Sequence, residues 1–256
     1  MKLHCLGTTG FHPSPRRHTA CYYLPEQNLV LDAGTGIFRL VPLLLQEPKK
    51  HLDLFLSHAH LDHIVGLTFL VDTFAVTELE HVRVFAEQAK LDAIREHLYN
   101  ELLFPVEPQM EFVALESKSG HLDSSELIGD VSVDWFPLEH PGGTIGMCFS
   151  NSQKKIAYIT DTVARPDAEY VSQLSDCDLL MHECYFDDEQ RELAIKTGHS
   201  WLSAVKEIVR RVTPKKTLLI HINPLAEILN TELKIDPAFL RQFDISAAED
   251  QARIEF

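Results

Sequence analysis

A seven-residue stretch near the end of the first quarter of the chain constrains its folding most. It reads Ser57-His58-Ala59-His60-Leu61-Asp62-His63 and brings together three imidazoles and one carboxylate. The apolar run before it, residues 52–56, predicts a buried strand, and residues 64–67 predict the first turn of a helix. The polar side chains therefore stand on a strand-to-helix turn.

The spacing of these side chains favours metal binding. Alternate residues of an extended segment point the same way, so His58 and His60 can hold one cation from one side. Asp62 and His63 are expected to face a second position. Imidazole and carboxylate groups bind zinc at about 2.0–2.2 Å. The alternative is a polar loop that happens to be rich in histidine, and the strand-turn-helix context argues against it.

Ligand-type residues recur where predicted strands end. They are His58, His140, Asp161, Glu183 and His221. In layered α/β proteins, bound metals and substrates lie at such strand ends. We therefore expect an α/β fold, a four-layer αββα sandwich built from two βαβ-rich halves with a seam near residues 125–130. With 256 residues and 45% hydrophobic content, the chain 1–256 is expected to form a single domain.

The candidate ligands sort into two cation sites. The first comprises His58, His60 and His140, the second comprises Asp62, His63 and His221, and Asp161 bridges both. Two cations a few ångströms apart can polarise a substrate, activate a water, orient the ester and stabilise a leaving group. Asp62 can also direct the attacking water by accepting its hydrogen bond. Each histidine alone could be structural and Asp161 alone could cap a helix, so the prediction depends on the joint arrangement.

Two further segments contain groups that could transfer protons. They are His182-Glu183-Cys184 and Gly198-His199-Ser200. His199 could protonate a leaving oxygen while Glu183 holds its tautomer. Alternatively, His199 packs beside a helix cap and Glu183 supports a metal ligand. His182 is expected to face the other side of its strand.

Charge and cysteine content restrict the partners and the compartment. The chain has 23 Lys and Arg against 38 Asp and Glu, a net charge of −15, which disfavours nucleic acid unless a local basic patch exists. The 5 cysteines form no CxxC pair, which is typical of reduced, buried thiols in a cytoplasmic protein. Neither a signal-peptide pattern nor a long apolar run is found, so we expect neither export nor membrane insertion.

The combined motifs resemble the metallo-β-lactamase fold superfamily and, within it, ribonuclease Z, the tRNA 3′-processing endonuclease. The resemblance rests on Leu6-Gly7-Thr8, Pro13-Ser14, Arg17, the HxHxDH segment, His140, Tyr158-Ile159-Thr160-Asp161-Thr162, His182-Glu183, Gly198-His199-Ser200 and His221. It implies two Zn²⁺ held by six residues, His58, His60, His63, His140, Asp161 and His221. Mn²⁺ or Fe²⁺ could occupy the same ligands, since metal availability often decides which ion is bound. It also implies Asp62 as general base, proton transfer by Glu183 and His199, and a homodimer.

Two departures separate the chain from that family. Asp161 follows His140 by only 21 positions, which leaves room for a hairpin and none for the family's tRNA-binding arm. His18 replaces the family's usual asparagine. The sequence therefore predicts a phosphodiesterase whose substrate is an RNA 3′ end or a small or cyclic phosphodiester.

Two other readings stay open at this point. One is a lactonase or thioesterase of the same fold, although the glyoxalase II variant is disfavoured because only 35 residues follow His221. The other is an iron redox protein or an inactive scaffold. The redox branch typically replaces the second histidine of the motif with glutamate, whereas His60 is present here. An inactive scaffold would have lost ligands, and none of the candidate ligands is missing.

Overall fold

A computed structural model describes residues 1–229, 231 and 233–256. The chain forms two compact units. Unit 1 comprises Met1–Lys118, Ser124–Asp130 and Glu249–Glu255, and unit 2 comprises Ser119–Asp123, Val131–Ala248 and Phe256. That residues 1–256 act as a single domain stays a prediction.

Unit 1 contains a mixed seven-stranded sheet. In order across the sheet, the strands are β14 (Arg253–Glu255), β1 (Lys2–Gly7), β2 (Cys21–Leu24), β3 (Leu29–Leu31), β4 (His51–Phe55), β5 (His81–Glu87) and β6 (Met110–Leu115). Pairing is antiparallel from β14 to β3 and parallel from β3 to β6. Because β3 and β4 are parallel, the residues that follow them meet at one edge of the sheet.

Short helices cover the sheet of unit 1. They are α1 (Leu40–Gln46), α2 (Leu61–Ile64), α3 (Leu70–Val76) and α4 (Gln88–Ala93), with 3-10 turns at Thr35–Arg39 and Val65–Phe69 and a π turn at Ile94–Leu98. Buried Leu44, Leu67 and Leu91 from these segments belong to one apolar core with Leu54 and Val84 of the sheet.

The helix predicted to begin at residues 64–67 is interrupted, because Gly66 is held against another turn. Its N–H donates to the Ala33 carbonyl at 2.8 Å. A Cβ on Gly66 would lie 2.3 Å from the Gly34 carbonyl oxygen, so only glycine permits this contact. The helix that follows the histidine motif is thereby fixed to the turn after β3.

Unit 2 contains a second mixed seven-stranded sheet. In order, its strands are β13 (Ile245–Ala247), β12 (Lys216–Ile220), β11 (Leu179–Glu183), β10 (Lys155–Ile159), β9 (Thr144–Ser150), β8 (Ser132–Leu138) and β7 (Gly120–Leu122). Pairing is parallel from β13 to β10 and antiparallel from β10 to β7. The predicted hairpin between His140 and Asp161 is confirmed as β9–β10.

The helices of unit 2 pack on its sheet through amphipathic faces. They are α5 (Arg191–Thr197), α6 (Leu202–Val212), α7 (Pro224–Leu229) and α8 (Pro237–Gln242), with 3-10 turns at Glu169–Leu174 and Asp188–Gln190. On α6, residues Val205, Ile208, Val209 and Val212 recur at helical spacing and are buried in one core with Leu180. A last helix predicted near residues 225–233 matches α7, although positions 230 and 232 lie outside the described residues.

The two helix-covered mixed sheets confirm the α/β class. All five cysteines are buried and free, as expected. Among the described residues, every helix is too short or too polar to cross a bilayer. Strands β7 and β13 and helix α8 were not predicted, because each is a short element without a clear period.

Candidate metal centre

The histidine motif of unit 1 is organised by Asp32, which directly follows β3. This buried carboxylate accepts hydrogen bonds from the Ser57 N–H (2.7 Å), the Ser57 hydroxyl (2.8 Å) and Nδ1 of His63 (2.7 Å). Because Nδ1 of His63 carries the donated proton, Nε2 keeps the lone pair that a cation needs. Asp32 was not among the predicted site residues, although Asp32 directly follows a strand, as the predicted ligands do.

The four predicted ligands of unit 1 form one cluster. The ring of His58 lies 4.4 Å from that of His60 and 4.3 Å from that of His63, between centroids. Nε2 of His63 lies 3.4 Å from Oδ2 of Asp62. Two ligand atoms on one tetrahedral zinc ion lie about 3.3–3.4 Å apart, so this pair has the spacing of co-ligands.

In unit 2, Asp161 lies between two histidines. Its Oδ1 is 3.3 Å from Nε2 of His221, and its Oδ2 is 3.7 Å from Nε2 of His140. All three side chains are at most 3% exposed. The Thr160 hydroxyl donates to Oδ1 at 2.6 Å. The carboxylate therefore presents a different oxygen to each imidazole.

Asp161 and His221 occupy unfavourable backbone conformations at their strand ends. Their φ angles are 36° and 53°, in the left-handed region that non-glycine residues rarely adopt. Such outliers cluster at functional sites, where the surrounding structure holds them in place. The turns after β10 and β12 thus orient these two side chains, and the left-handed conformation that they require costs backbone energy.

His140 is oriented by the glycine of the Gly-His-Ser segment. Its Nδ1 donates to the Gly198 carbonyl at 2.8 Å, which leaves Nε2 facing Asp161. Gly198 has φ 80°, and a Cβ there would lie 2.7 Å from Nδ1 of His140. Burial lowers the pKa of His140 against the opposing effect of Asp161, which favours the neutral form that binds metals.

Glu183 and His199 form the predicted pair. Glu183 is fully buried and accepts from the N–H groups of Thr162 (2.5 Å) and Ser200 (3.2 Å) and from Nδ1 of His199 (3.3 Å). The His199 ring stacks on Tyr185 at 4.7 Å and 18°. Glu183 thus holds Nδ1 of His199, the ring nitrogen opposite Nε2.

The neighbouring histidines His199 and His182 differ in their surroundings. Donor atoms of Asp161, His199 and His221 all lie within 4.8 Å of one another, so His199 could also ligate a metal. His182 lies in the core, where its Nε2 contacts the Tyr170 hydroxyl at 3.3 Å. This position confirms that His182 points away from the site.

The residues of both units suit a divalent cation. Each unit supplies imidazole nitrogens and carboxylate oxygens, the donors that zinc takes, and holds them with buried partners such as Asp32. A family model described as a β-lactamase superfamily domain matches residues 27–222. The chain therefore belongs to the β-lactamase superfamily, and it is a metal-dependent hydrolase.

Individual relatives agree with this assignment. The chain is 23% identical to ribonuclease Z from Archaeoglobus fulgidus over 269 residues, which cover 87% of each chain. It is similar to the crystal structure of human tRNase Z, short form, with TM-score 0.73 and 22% identity, covering 100% of this chain and 99% of that one. It is also similar to a diphosphatase from the PhnP family, with TM-score 0.69 and 20% identity, covering 100% and 97%. These structures share the metallo-β-lactamase fold with this chain.

Proposed function

We propose that the protein is a dinuclear-zinc phosphodiesterase with a ribonuclease Z-like active site. The observation that carries the proposal is the position of the Asp161 carboxylate. One of its oxygens lies near His140 and the other near His221. A carboxylate used in this way suits a bridge between two ions. Two sets of residues would hold the ions: His58, His60, His140 and Asp161 the first, and Asp62, His63, His221 and Asp161 the second.

The protein's own groups have distinct tasks in the proposed reaction. When bound, the ions would supply Lewis acidity and lower the pKa of water. Asp62 acts as general base and fixes the direction of the attacking water through its carboxylate. His199 donates a proton from Nε2 to the leaving oxygen, and Glu183 holds the opposite nitrogen.

A phosphodiester is favoured over a lactone or thioester by the Glu183–His199 pair. The resemblance to ribonuclease Z includes both residues and implies that they transfer protons, and the contact between the two side chains supports that role. An RNA 3′ end and a small or cyclic phosphodiester both suit the same chemistry.

Transfer RNA is expected to bind weakly. The segment from His140 to Asp161 is a tight hairpin, so it offers no arm for tRNA, and the net charge of −15 repels a phosphate backbone. Filter binding or fluorescence anisotropy at physiological salt measures this affinity. A sub-micromolar dissociation constant would contradict the argument from charge and the missing arm.

The activity itself is tested with zinc-loaded protein and three substrates. We expect turnover of bis-p-nitrophenyl phosphate, and little turnover of a γ-lactone or a thioester at equal concentration. Metal analysis should give two ions per chain, with Mn²⁺ or Fe²⁺ as substitutes. Preferred lactone turnover would assign the protein to the lactonase branch, and no turnover of the phosphodiester would refute the phosphodiesterase proposal. Homodimer formation and a cytoplasmic location stay predictions from the sequence.

A further inference from the structure

An exposed aromatic ring lies next to the proposed general base. Phe11 is 74% exposed, although it is one of the largest apolar side chains in the chain. Its backbone N–H donates to Oδ2 of Asp62 at 2.7 Å. The residue therefore touches Asp62 through its backbone while its ring faces solvent.

The backbone conformation of Phe11 favours glycine over a bulky residue. Its φ is 61°, in the left-handed region where a bulky side chain is strained and glycine is not. Glycine at this position would keep the hydrogen bond to Asp62 and remove the strain. The ring is not explained by core packing either, since it contacts only the His12 ring, at 5.4 Å, among the ring contacts of the described residues.

The loop that carries Phe11 is firmly held at its base. The Thr8 N–H donates to the His18 carbonyl at 2.8 Å, and the His18 N–H donates to Asp250 at 2.7 Å. Arg17 is buried and pairs with Glu249 at 2.5 Å. A rigid loop base presents the ring in a defined position, as a binding platform requires.

We propose that Phe11 is a substrate-stacking residue. Its ring would stack on the nucleobase next to the scissile phosphodiester. The inference rests on the proposed phosphodiesterase function and specifies its substrate class as nucleotidyl esters. Aromatic side chains stack on every base, because each base has a π-face. In a chain of net charge −15, an uncharged contact of this kind also adds affinity that salt does not screen.

The test compares two phosphodiesters that share a leaving group and differ in the other ester group, which is a nucleoside in one and a methyl group in the other. These are the p-nitrophenyl ester of thymidine 5′-monophosphate and methyl p-nitrophenyl phosphate. We measure the ratio of their kcat/KM values for zinc-loaded wild type and for Phe11→Gly, Phe11→Tyr and Leu102→Gly. Leu102 is a matched control, because it is 93% exposed and lies in a different loop.

Phe11→Gly should lower the preference for the thymidine ester by about 5- to 100-fold, the range seen for loss of one base–aromatic stack. Phe11→Tyr should keep the preference, and Leu102→Gly should leave it unchanged. An unchanged ratio in Phe11→Gly would overturn the proposal, including the case in which both esters lose rate equally.

A binding measurement separates this inference from the proposed function. Calorimetry with metal-loaded protein compares thymidine 5′-monophosphate with methyl phosphate and needs no turnover. We expect a preference for the nucleotide in wild type and its loss in Phe11→Gly. Equal binding of the two ligands by wild type would overturn the stacking proposal, whereas absence of ester hydrolysis alone would overturn only the phosphodiesterase proposal.

Discussion

Replacement of His199 by alanine isolates proton donation to the leaving group. General acid catalysis supplies about 10²–10⁴ in rate, or about 2.7–5.5 kcal/mol of barrier. The fold should persist in this variant, since Glu183 keeps its hydrogen bonds from the N–H groups of Thr162 and Ser200 when the His199 ring is removed. Thermal unfolding of the variant should therefore resemble that of the wild type.

The assay uses two diesters that differ in their need for a proton. The leaving alkoxide of a dinucleotide must be protonated, whereas p-nitrophenolate departs readily without a proton. We expect His199→Ala to lower kcat for the dinucleotide by about 10²–10⁴ and to affect the p-nitrophenyl ester much less. Metal content is measured on the same samples, because His199 could ligate a metal.

Glu183→Gln provides the matched control. The amide keeps an oxygen for an N–H donor but loses the charge that stabilises the His199 cation, so kcat for the dinucleotide should fall less than in His199→Ala. In the double variant, Glu183→Gln should add no further loss, since it acts through His199. Wild-type dinucleotide turnover by metal-loaded His199→Ala, or equal losses on both substrates, would refute the general-acid role.

Three further predictions follow from other parts of the molecule. Asp62→Ala should lower kcat at least about 100-fold with both esters, because the general base serves any leaving group; a wild-type rate at full metal content would exclude that role. Asp250→Ala should destabilise the protein by about 3 kcal/mol in urea unfolding, because the buried carboxylate accepts from Thr8, His18 and Arg39 and its loss leaves the Arg39 cation unpaired. The exposed Glu255→Ala is its control, and a loss below about 1 kcal/mol for Asp250→Ala would contradict the argument. Burial lowers the pKa of His182 from 6.5, so the unfolded chain takes up this proton first and stability should decline as pH falls below about 6.5. His182→Leu should reduce that slope between pH 7 and 5.5, and an unchanged slope would show that His182 does not contribute.

Local patterns account for much of the fold. The predicted strands that end near His58, His140, Asp161, Glu183 and His221 correspond to β4, β8, β10, β11 and β12. The short interval after His140 predicted the β9–β10 hairpin. Periodicity failed where tertiary contacts interrupt a helix, as at Gly66. It also failed for elements of three to six residues, such as β13 and α8, which are too short to show a period.

The groups that support the ligands could not be predicted in the same way. Asp32 was not among the predicted site residues, although its carboxylate orients His63. Gly198 was noted beside His199, and its carbonyl orients His140, 58 positions away in sequence. A hydrogen bond between distant residues depends on which strands are neighbours, and a single sequence does not state that.

The sequence by itself determined the kinds of atoms at the site. Histidines and carboxylates after successive apolar runs specify a metal-binding hydrolase, because residue type and position after a strand are local properties. Tertiary structure alone decided that Nδ1 of His63 and of His140 is the donating nitrogen. It also decided that the two oxygens of Asp161 face different histidines and that the Phe11 backbone contacts Asp62. These features are set by distances of a few ångströms between segments that only folding brings together.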